Sequence, residues 1–319
     1  MSAEVGTVKR WMGRGTWYRP VTGMLAGTAA AVLTVGGCGA SGDGSGHARL
    51  PAQRARPTGA PGSTAGSART AAAWHRWGLT PLPDAPWPPA DKPVKLTATG
   101  TVPVLTHVPT TQKVVFITID DGQEKDPAFI EMMRDLNIPI TMFLMNDAIK
   151  SDYAYFTSLQ ALGNHIQNHT LHHPVMSSAP LAHQKDEVCG DQKILTEEYG
   201  TAPLLFRPPY GAYDENTRTA VGECGPRAIV WWRESMQIRD MQYQDADNKL
   251  RAGDIILAHF RGPGELKGTT MTRMFGHLLR RIQEQGFAVA RLEDYIQPPG
   301  RRQRAARSSS TALRAPFGP

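Results

Sequence analysis

The central part of the sequence lacks the basic excess that the overall composition suggests. The 319 residues include 35 Lys and Arg against 29 Asp and Glu, a net charge of +6. Residues 1–112 hold 11 basic and 4 acidic residues, and residues 298–319 hold five arginines and no acid, which leaves −6 for residues 113–297. A globular nucleic-acid-binding protein carries its positive charge on the folded surface. The distribution therefore argues against a nucleic-acid partner.

Residues 38–112 lack the apolar content that a separate core would need. The 74 residues from 39 to 112 include 9 Gly and 11 Pro, a composition typical of disordered segments. We predict a disordered Gly/Pro/Ala-rich tether over 38–112, a folded unit over 113–297 that is long enough to bury a substantial core, and a basic disordered tail over 298–319. The tether holds three tryptophans that we expect to pack on the folded unit, or else to form a surface-contact segment: Trp74, Trp77 and Trp87.

The first 37 residues resemble an export signal. Four basic residues precede Val21–Gly37, a run of 17 residues without charge that is rich in small side chains. Cys38 follows directly, and the sequence around it resembles the lipobox of bacterial lipoproteins, which implies a lipid anchor on Cys38 at the outer face of the cytoplasmic membrane. An uncleaved membrane anchor and a plain signal of a secreted protein are the alternatives. All three interpretations export the folded unit.

Cysteine is scarce, with three residues in the whole chain. Cys38 belongs to the lipobox pattern, so the folded unit holds one pair, Cys189 and Cys224. In an exported domain such a pair predicts an intramolecular disulfide. Two buried free thiols are the alternative.

Short apolar runs alternate with amphipathic helical stretches about seven times, without an internal repeat. This alternation predicts a parallel α/β architecture, either a barrel or an open doubly wound sheet. Both architectures place their sites at the carboxyl ends of strands. The predicted strands are Val114–Ile119, Ile140–Phe143, His165–Gln167, Leu204–Phe206, Ala228–Trp232, Ile255–Ala258 and Phe287–Ala290.

Two strand ends carry a pattern of metal-ligating residues. Asp120 and Asp121 follow the first strand; neighbours on an extended chain point in different directions, so one can bind a metal while the other stays free as a base. A turn with a helix cap is the alternative. His169 and His173 follow the third strand at i, i+4 spacing, which predicts two imidazoles on one side of a helical turn. Asp121 with these histidines would form a two-His, one-carboxylate site with an open position, as in catalytic zinc sites.

Two further strand ends carry candidate residues. Arg207 begins an Arg-Pro-Pro-Tyr-Gly segment whose prolines stiffen the loop, although a structural turn with a solvated arginine is the alternative. His259 ends Leu257-Ala258-His259 and could equally be a core residue.

Together these motifs resemble the polysaccharide deacetylase family, carbohydrate esterase family 4, over about residues 113–297. The resemblance implies a distorted (β/α)7 barrel and a hydrolase that removes acetyl groups from a polysaccharide. The motifs occur in the family's order: Thr118-Ile119-Asp120-Asp121-Gly122, Asn168-His169-Thr170-Leu171-His172-His173-Pro174, Arg207-Pro208-Pro209-Tyr210-Gly211 and Leu257-Ala258-His259.

The resemblance also implies a role for individual residues. Zn²⁺, or another divalent metal such as Co²⁺, would be held by three of them, and Asp120 would be the general base that Arg207 orients. The Tyr210 N–H would help to form an oxyanion hole, Leu257 would line the acetyl-methyl pocket, and His259 would be the general acid. The metal ligands would be Asp121, His169 and His173.

The fourth motif departs from the family pattern. An Asp that supports the catalytic histidine is usual there, and this chain offers Glu234 or Asp240 instead. The substrate is accordingly open. N-acetyl groups of cell-wall amino sugars, in peptidoglycan or a chitin-like polymer, are favoured by the predicted export. O-acetyl groups of xylan or a similar polymer, and a non-catalytic carbohydrate-binding protein, are the alternatives.

Overall fold

The structure is a computed structural model that describes residues 71–300. The predicted signal, the lipobox cysteine, the first part of the predicted tether and the tail beyond residue 300 lie outside the described residues. Within 71–300, no helix is both long enough and apolar enough to cross a membrane.

Twelve strands and seven helices make up residues 71–300, three short 3-10 turns aside. The strands are β1 (Val94–Lys95), β2 (Val104–Leu105), β3 (Val114–Asp121), β4 (Ile140–Leu144), β5 (His165–Asn168), β6 (Leu205–Phe206), β7 (Ala228–Val230), β8 (Glu234–Met236), β9 (Met241–Tyr243), β10 (Ile255–His259), β11 (Ala288–Val289) and β12 (Ile296–Gln297). The helices are α1 (described over 71–76), α2 (Pro127–Leu136), α3 (Asn146–Ile149), α4 (Tyr153–Ala161), α5 (Leu181–Tyr199), α6 (Glu215–Cys224) and α7 (Met271–Glu284).

Ten strands form one curled sheet in the order β2-β7-β6-β5-β4-β3-β10-β8-β9, with β11 added beside the start of β3. Every pairing is parallel except that of β8 with β9. The end strands β2 and β9 do not pair with each other among the described residues, so the barrel is incompletely closed. The seven predicted strands are confirmed as β3 to β7, β10 and β11, and the fold is the predicted distorted barrel.

The central strand β3 is buried on both faces of the sheet. All eight of its residues are buried, as expected for a parallel strand covered by helices. Helices α2 and α7 cover one face through an aromatic cluster in which Phe129 lies 5.8 Å from Phe260 and 5.2 Å from Phe275 between ring centroids. Asp126 caps α2 by accepting a hydrogen bond from the Ala128 N–H. These contacts hold β3 and β10, whose ends carry the candidate site.

The prediction of a disordered tether is wrong for residues 71–112. Trp74 belongs to the main core and is 4% exposed. Val108 is fully buried, and its N–H donates to the Gly253 carbonyl at 2.8 Å. Strand β1 pairs with β12, and β2 pairs with β7. Glycine and proline prevent this segment from building its own core, but its few apolar residues pack on the barrel. Trp77 is half-buried, whereas Trp87 is 87% exposed and does not pack.

The structure joins Cys189 and Cys224 in a disulfide, as predicted, with 4.7 Å between their Cα atoms. The bond connects the middle of α5 to the last residue of α6. Helix α5 also contacts β5, so the disulfide restrains a helix that packs beneath the candidate site.

Trp74→Ala tests whether residues 71–112 belong to the folded unit. We expect a loss of about 3–5 kcal/mol in the free energy of unfolding, because a buried indole leaves a cavity. Chemical denaturation measures this loss. Trp87→Ala is the matched control and should change stability by less than about 0.5 kcal/mol, since that ring is exposed. Equal effects of the two substitutions would contradict the observed packing.

Candidate metal and catalytic site

The predicted site residues converge at one edge of the sheet. Asp120 and Asp121 end β3, His169 directly follows β5, Arg207 directly follows β6, and His259 ends β10. His259 is the register partner of Asp120 on the neighbouring strand. Parallel strands bring their carboxyl ends to a common edge, so residues far apart in the sequence meet there.

Asp121, His169 and His173 form a cluster that could hold a metal ion. The Asp121 Oδ1 atom lies 3.5 Å from His169 Nε2 and 3.4 Å from His173 Nε2. One potential ligand atom from each residue lies within 4.8 Å of the others. The His169 Nδ1 atom lies 2.7 Å from the Arg207 carbonyl oxygen. With Nδ1–H donating to that oxygen, the Nε2 lone pair faces Asp121, as in metal sites whose second ring nitrogen is anchored.

The two histidines meet for a different reason from the predicted one. Residues 169–173 form no helical turn; Thr170 and His173 instead adopt left-handed backbone conformations with φ of 74° and 61°. Asp121 also has a positive φ of 74°. Such conformations cost free energy in residues other than glycine and concentrate at functional sites. The loop therefore needs contacts from elsewhere to keep its shape.

Helix α5 supplies part of those contacts through two buried carboxyl groups. Asp191 Oδ2 accepts a hydrogen bond from the His169 N–H at 3.2 Å. One turn earlier, Glu187 accepts from the His172 N–H at 2.9 Å and lies 2.7 Å from His172 Nδ1. The Asp191 Oδ1 atom has no partner, and burial raises the pKa of this carboxyl well above its ordinary value. Sequence analysis missed both residues; their i, i+4 spacing on a helix that follows the histidine loop was the available signal.

Asp120 is held by a fully buried arginine. Arg207 Nη1 donates to Asp120 Oδ1 at 2.7 Å and to the Thr118 hydroxyl at 2.7 Å, and Nε donates to the Val230 carbonyl at 3.0 Å. Phe143 covers the guanidinium plane at 4.3 Å. Burial raises the pKa of Asp120 above its ordinary value, although the charges of Arg207 and His169 oppose that rise. Arg207 therefore holds one oxygen of the Asp120 carboxyl in a defined position.

His259 lies in an apolar and partly cationic environment. Burial lowers the pKa of its imidazole to about 3, with a contribution from the positive charge of Arg261. The imidazole is therefore neutral near pH 7 in the absence of a ligand. Leu257 lies two residues earlier on β10 and is buried.

The Arg-Pro-Pro-Tyr-Gly segment forms a short turn at the rim of the site. Tyr210 has φ of 60° and is half-exposed, and its ring centroid lies 4.6 Å from that of His173. Gly211 has φ of 68°, and a Cβ atom there would lie 2.7 Å from Trp231 Nε1 and 2.9 Å from Trp232. The stacked Trp231 and Trp232 rings therefore require glycine at this position.

Neither acid proposed for the fourth motif lies beside His259. Glu234 pairs with Ile256 in register, three residues before His259, which is roughly 10 Å along a strand. It is buried against Asp254 at the opposite end of β10, and burial with the Asp254 carboxylate raises the pKa of Glu234 to about 9. Asp240 is exposed and binds Arg281 Nη2 at 3.0 Å. The parallel pairing of β8 with β10 decides the position of Glu234, and one strand's sequence does not reveal it.

Three comparisons relate this chain to known proteins. Residues 107–229 match the family model described as polysaccharide deacetylase; Leu257 and His259 lie beyond the matched segment. An uncharacterised protein from Streptomyces coelicolor is 37% identical over 195 residues, which cover 61% of this chain and 77% of the relative. A peptidoglycan-N-acetylglucosamine deacetylase from Bacillus cereus is 22% identical over 201 residues, which cover 60% of this chain and 92% of the relative.

A solved structure shares the fold. It is that of a pseudoenzyme of carbohydrate esterase family 4 from Bacillus anthracis, with a TM-score of 0.52 at 16% identity over 63% of this chain and 72% of that one. This likeness concerns the fold alone, so the chemistry must be argued from the residues of this chain.

Asp191→Ala should weaken divalent-metal binding, because it leaves the His169 N–H without its acceptor and frees the strained loop. Outer partners of metal ligands typically contribute about 10–100-fold in affinity. Competition with a fluorescent zinc chelator measures the change. Asp191→Asn keeps an acceptor oxygen and should recover much of the affinity. Asp186→Ala, an exposed position on the same helix, is the control; equal affinities of D191A and D186A would refute the role of Asp191.

Glu234→Gln should alter how stability depends on pH. The folded chain keeps Glu234 protonated to about pH 9, whereas the unfolded chain ionises it near 4.5. The folded state binds the extra proton between these values, so this group lowers stability as pH rises. At pH 8 we expect the variant to be more stable than the wild type by on the order of 1–3 kcal/mol.

Denaturation at pH 5 and pH 8 checks this expectation. Glu131→Gln, at an exposed position on α2, is the control. The expectation fails if E234Q and the wild type lose the same free energy between the two pH values.

Proposed function

This chain belongs to the polysaccharide deacetylase family, carbohydrate esterase family 4, and on that premise we propose that it is a metal-dependent hydrolase acting on N-acetyl groups of cell-wall amino sugars. One observation carries the proposal. A complete cluster of Asp121, His169 and His173 lies beside the buried Asp120, with His259 on the adjoining strand. The chemistry of a hydrolytic metal site requires such a combination of ligands and proton-transfer groups.

The donor set fits zinc or a similar divalent ion. Two imidazole nitrogens and one carboxylate oxygen leave a further coordination position for substrate or water, as in catalytic zinc sites. When bound, the ion would polarise the acetyl carbonyl and lower the pKa of a water molecule. The observation that tests this fit is the anchored His169: its Nδ1 faces the Arg207 carbonyl, and its Nε2 faces Asp121.

Asp120 is the proposed general base. Its Oδ2 atom lies 3.9 Å from His169 Nε2, so it borders the metal cluster, while Oδ1 is held by Arg207. A carboxyl whose pKa is raised by burial binds a proton more readily than an exposed one, which suits the acceptor of a proton from water. Arg207 keeps the carboxylate from rotating and balances its charge.

His259 is the proposed general acid for the leaving amine. A histidine with a pKa of about 3 holds no extra proton before substrate arrives. Negative charge that develops on the acetyl carbonyl oxygen during the reaction would raise the pKa of the His259 imidazole, because it opposes the effect of the Arg261 charge. The imidazole is therefore neutral before reaction, so it would have to take up a proton, either the one that Asp120 removes from water or one from solvent, before it passes a proton to the leaving amine.

Tyr210 and Leu257 are the proposed substrate contacts. The Tyr210 N–H would donate to the developing oxyanion from a turn that Gly211 and the tryptophan pair keep in place. A single donor of this type contributes about 2.7–4 kcal/mol to transition-state stabilisation. Leu257, on the strand that ends in His259, would contact the acetyl methyl group.

N-acetyl amino sugars of peptidoglycan or a chitin-like polymer are the proposed substrates. Two arguments support them: a curated relative is named as a peptidoglycan deacetylase, and the N-terminal sequence resembles an export signal with a lipobox. We propose that the chain acts outside the cytoplasmic membrane, anchored by lipid on Cys38. O-acetyl groups of xylan would use the same residues and remain the alternative substrate.

A non-catalytic carbohydrate-binding protein is the second candidate function, because one of the solved structures that share this fold is that of a pseudoenzyme. The complete set of metal-ligating and proton-transfer residues favours catalysis, since binding alone requires neither a base nor a metal. The two candidates differ in acetate release.

Asp120→Asn should reduce acetate release at least about 100-fold, because the amide cannot accept the proton. His259→Ala should reduce it by about 10²–10⁴-fold, and removal of metal with a chelator should abolish it until Zn²⁺ is restored. Acetate is measured in parallel on peptidoglycan, acetylated chitooligosaccharide and acetylxylan.

Asp186→Asn and His165→Ala change exposed residues and serve as matched controls that should keep wild-type rates. Acetate release confined to acetylxylan would replace the amino-sugar substrate with an ester. Sugar binding without acetate release from any substrate, in a metal-loaded wild type, would favour the non-catalytic candidate.

A further inference from the structure

Three unpaired arginines gather around one cavity on the outer side of the barrel. Residues 71–300 include 13 arginines, eight of which have a carboxylate oxygen within 4.0 Å. Three of the other five, Arg239, Arg273 and Arg280, line a cavity of about 420 Å³. Three like charges repel each other. All three side chains are exposed, so water and salt screen this repulsion, and their guanidinium groups can donate to an anion in the cavity.

The nearby acids are already engaged. Asp135 pairs with Arg76 and accepts a hydrogen bond from Trp77 Nε1 at 2.7 Å. Asp240 binds Arg281. Neither carboxylate lies within 4.0 Å of the three cavity arginines, so their charge is not neutralised within the described part of the chain.

The walls of the cavity give it a defined shape. Trp77 and Met132 form an apolar side, and Thr272 contributes a hydroxyl. Arg280 is fixed by donation to the Gly78 carbonyl at 3.2 Å and by contact with His277 Nδ1 at 3.4 Å. Burial and the positive charges of Arg280 and Arg239 lower the pKa of His277, which is the response expected in a cationic pocket.

We propose that this arginine cavity, defined by Arg239, Arg273 and Arg280, binds a phosphate group. Guanidinium groups match phosphate oxygens through paired N–H donors, and three positive charges suit a phosphate better than a single carboxylate. The ligand is either a soluble phosphate compound or the headgroup of an anionic phospholipid, because both present the same chemistry. The site is separate from the residues proposed for catalysis and does not depend on that function.

Phosphate binding to the full chain tests the proposal. Inorganic phosphate is titrated calorimetrically, and vesicles of phosphatidylglycerol and phosphatidylcholine are compared with vesicles of phosphatidylcholine alone. We expect R239Q/R273Q to weaken binding about tenfold or more in at least one arm. The double variant R134Q/R227Q removes the same charge from arginines outside the cavity and should change binding less than about twofold.

The two arms identify the source of the phosphate. If R239Q/R273Q loses binding of inorganic phosphate in the calorimetric arm, the ligand is a soluble phosphate compound. If the variant loses binding only to vesicles that contain phosphatidylglycerol, the ligand is a lipid headgroup. Melting temperatures check that the variants fold. R273Q alone serves as a second variant that should fold normally, because it removes an exposed guanidinium without described contacts. Equal binding by the two double variants, or no binding in either arm, would overturn the proposal. Acetate release from a short acetylated oligosaccharide should be the same in R239Q/R273Q as in the wild type.

Discussion

The buried guanidinium of Arg207 connects the separate parts of the candidate site. It donates to Asp120 and Thr118 on β3 and to the carbonyls of Val230 and Trp231 at the end of β7. Its own carbonyl faces His169 Nδ1. The Thr118 hydroxyl in turn donates to the Ile256 carbonyl of β10 at 2.7 Å. One residue therefore connects the proposed base, a ring nitrogen of a candidate metal ligand and neighbouring strands of the sheet. A fully buried cation is stable only while these partners remain in place.

The site is strained as well as buried. Four of the seven non-glycine residues with positive φ in the described chain are at the site: Asp121, Thr170, His173 and Tyr210. The Asp191 and Glu187 carboxyl groups accept hydrogen bonds from the loop that carries His169 and His173. The stacked Trp231 and Trp232 rings pack against the turn that carries Tyr210. Preorganisation of this kind places donors and ligands before substrate binds, so that less reorganisation is needed during reaction.

Net negative and net positive charge are concentrated in different parts of the chain. The acidic centre of the chain places Asp121 at the candidate metal site. It also buries Glu234 beside Asp254, away from that site, where burial raises the pKa of Glu234 to about 9. The two ends of the sequence, residues 1–112 and 298–319, carry the net positive charge. Three arginines of the folded unit nevertheless lie at a cavity without a carboxylate partner among the described residues. The overall charge of +6 thus conceals an acidic domain with one local cationic site.

The sequence by itself predicted seven of the twelve strands, the candidate ligand residues and the disulfide between Cys189 and Cys224. Runs such as β3 are buried on both faces and flanked by turn residues, and this pattern is local enough to be recognised without a structure. The parallel order then placed Asp120, His169, Arg207 and His259 at one edge by a general rule of such sheets.

Only the tertiary structure decided the remaining features. The path of residues 71–112 depends on a barrel surface that their own composition does not describe, so Trp74 is buried while Trp87 is exposed. The histidine loop takes left-handed conformations instead of a helical turn because α5 supplies its hydrogen bonds. Glu234 lies at the wrong end of β10 to support His259 because strand register is set by pairing. Each of these outcomes depends on contacts between distant segments, whereas periodicity and spacing report only on near neighbours in the chain.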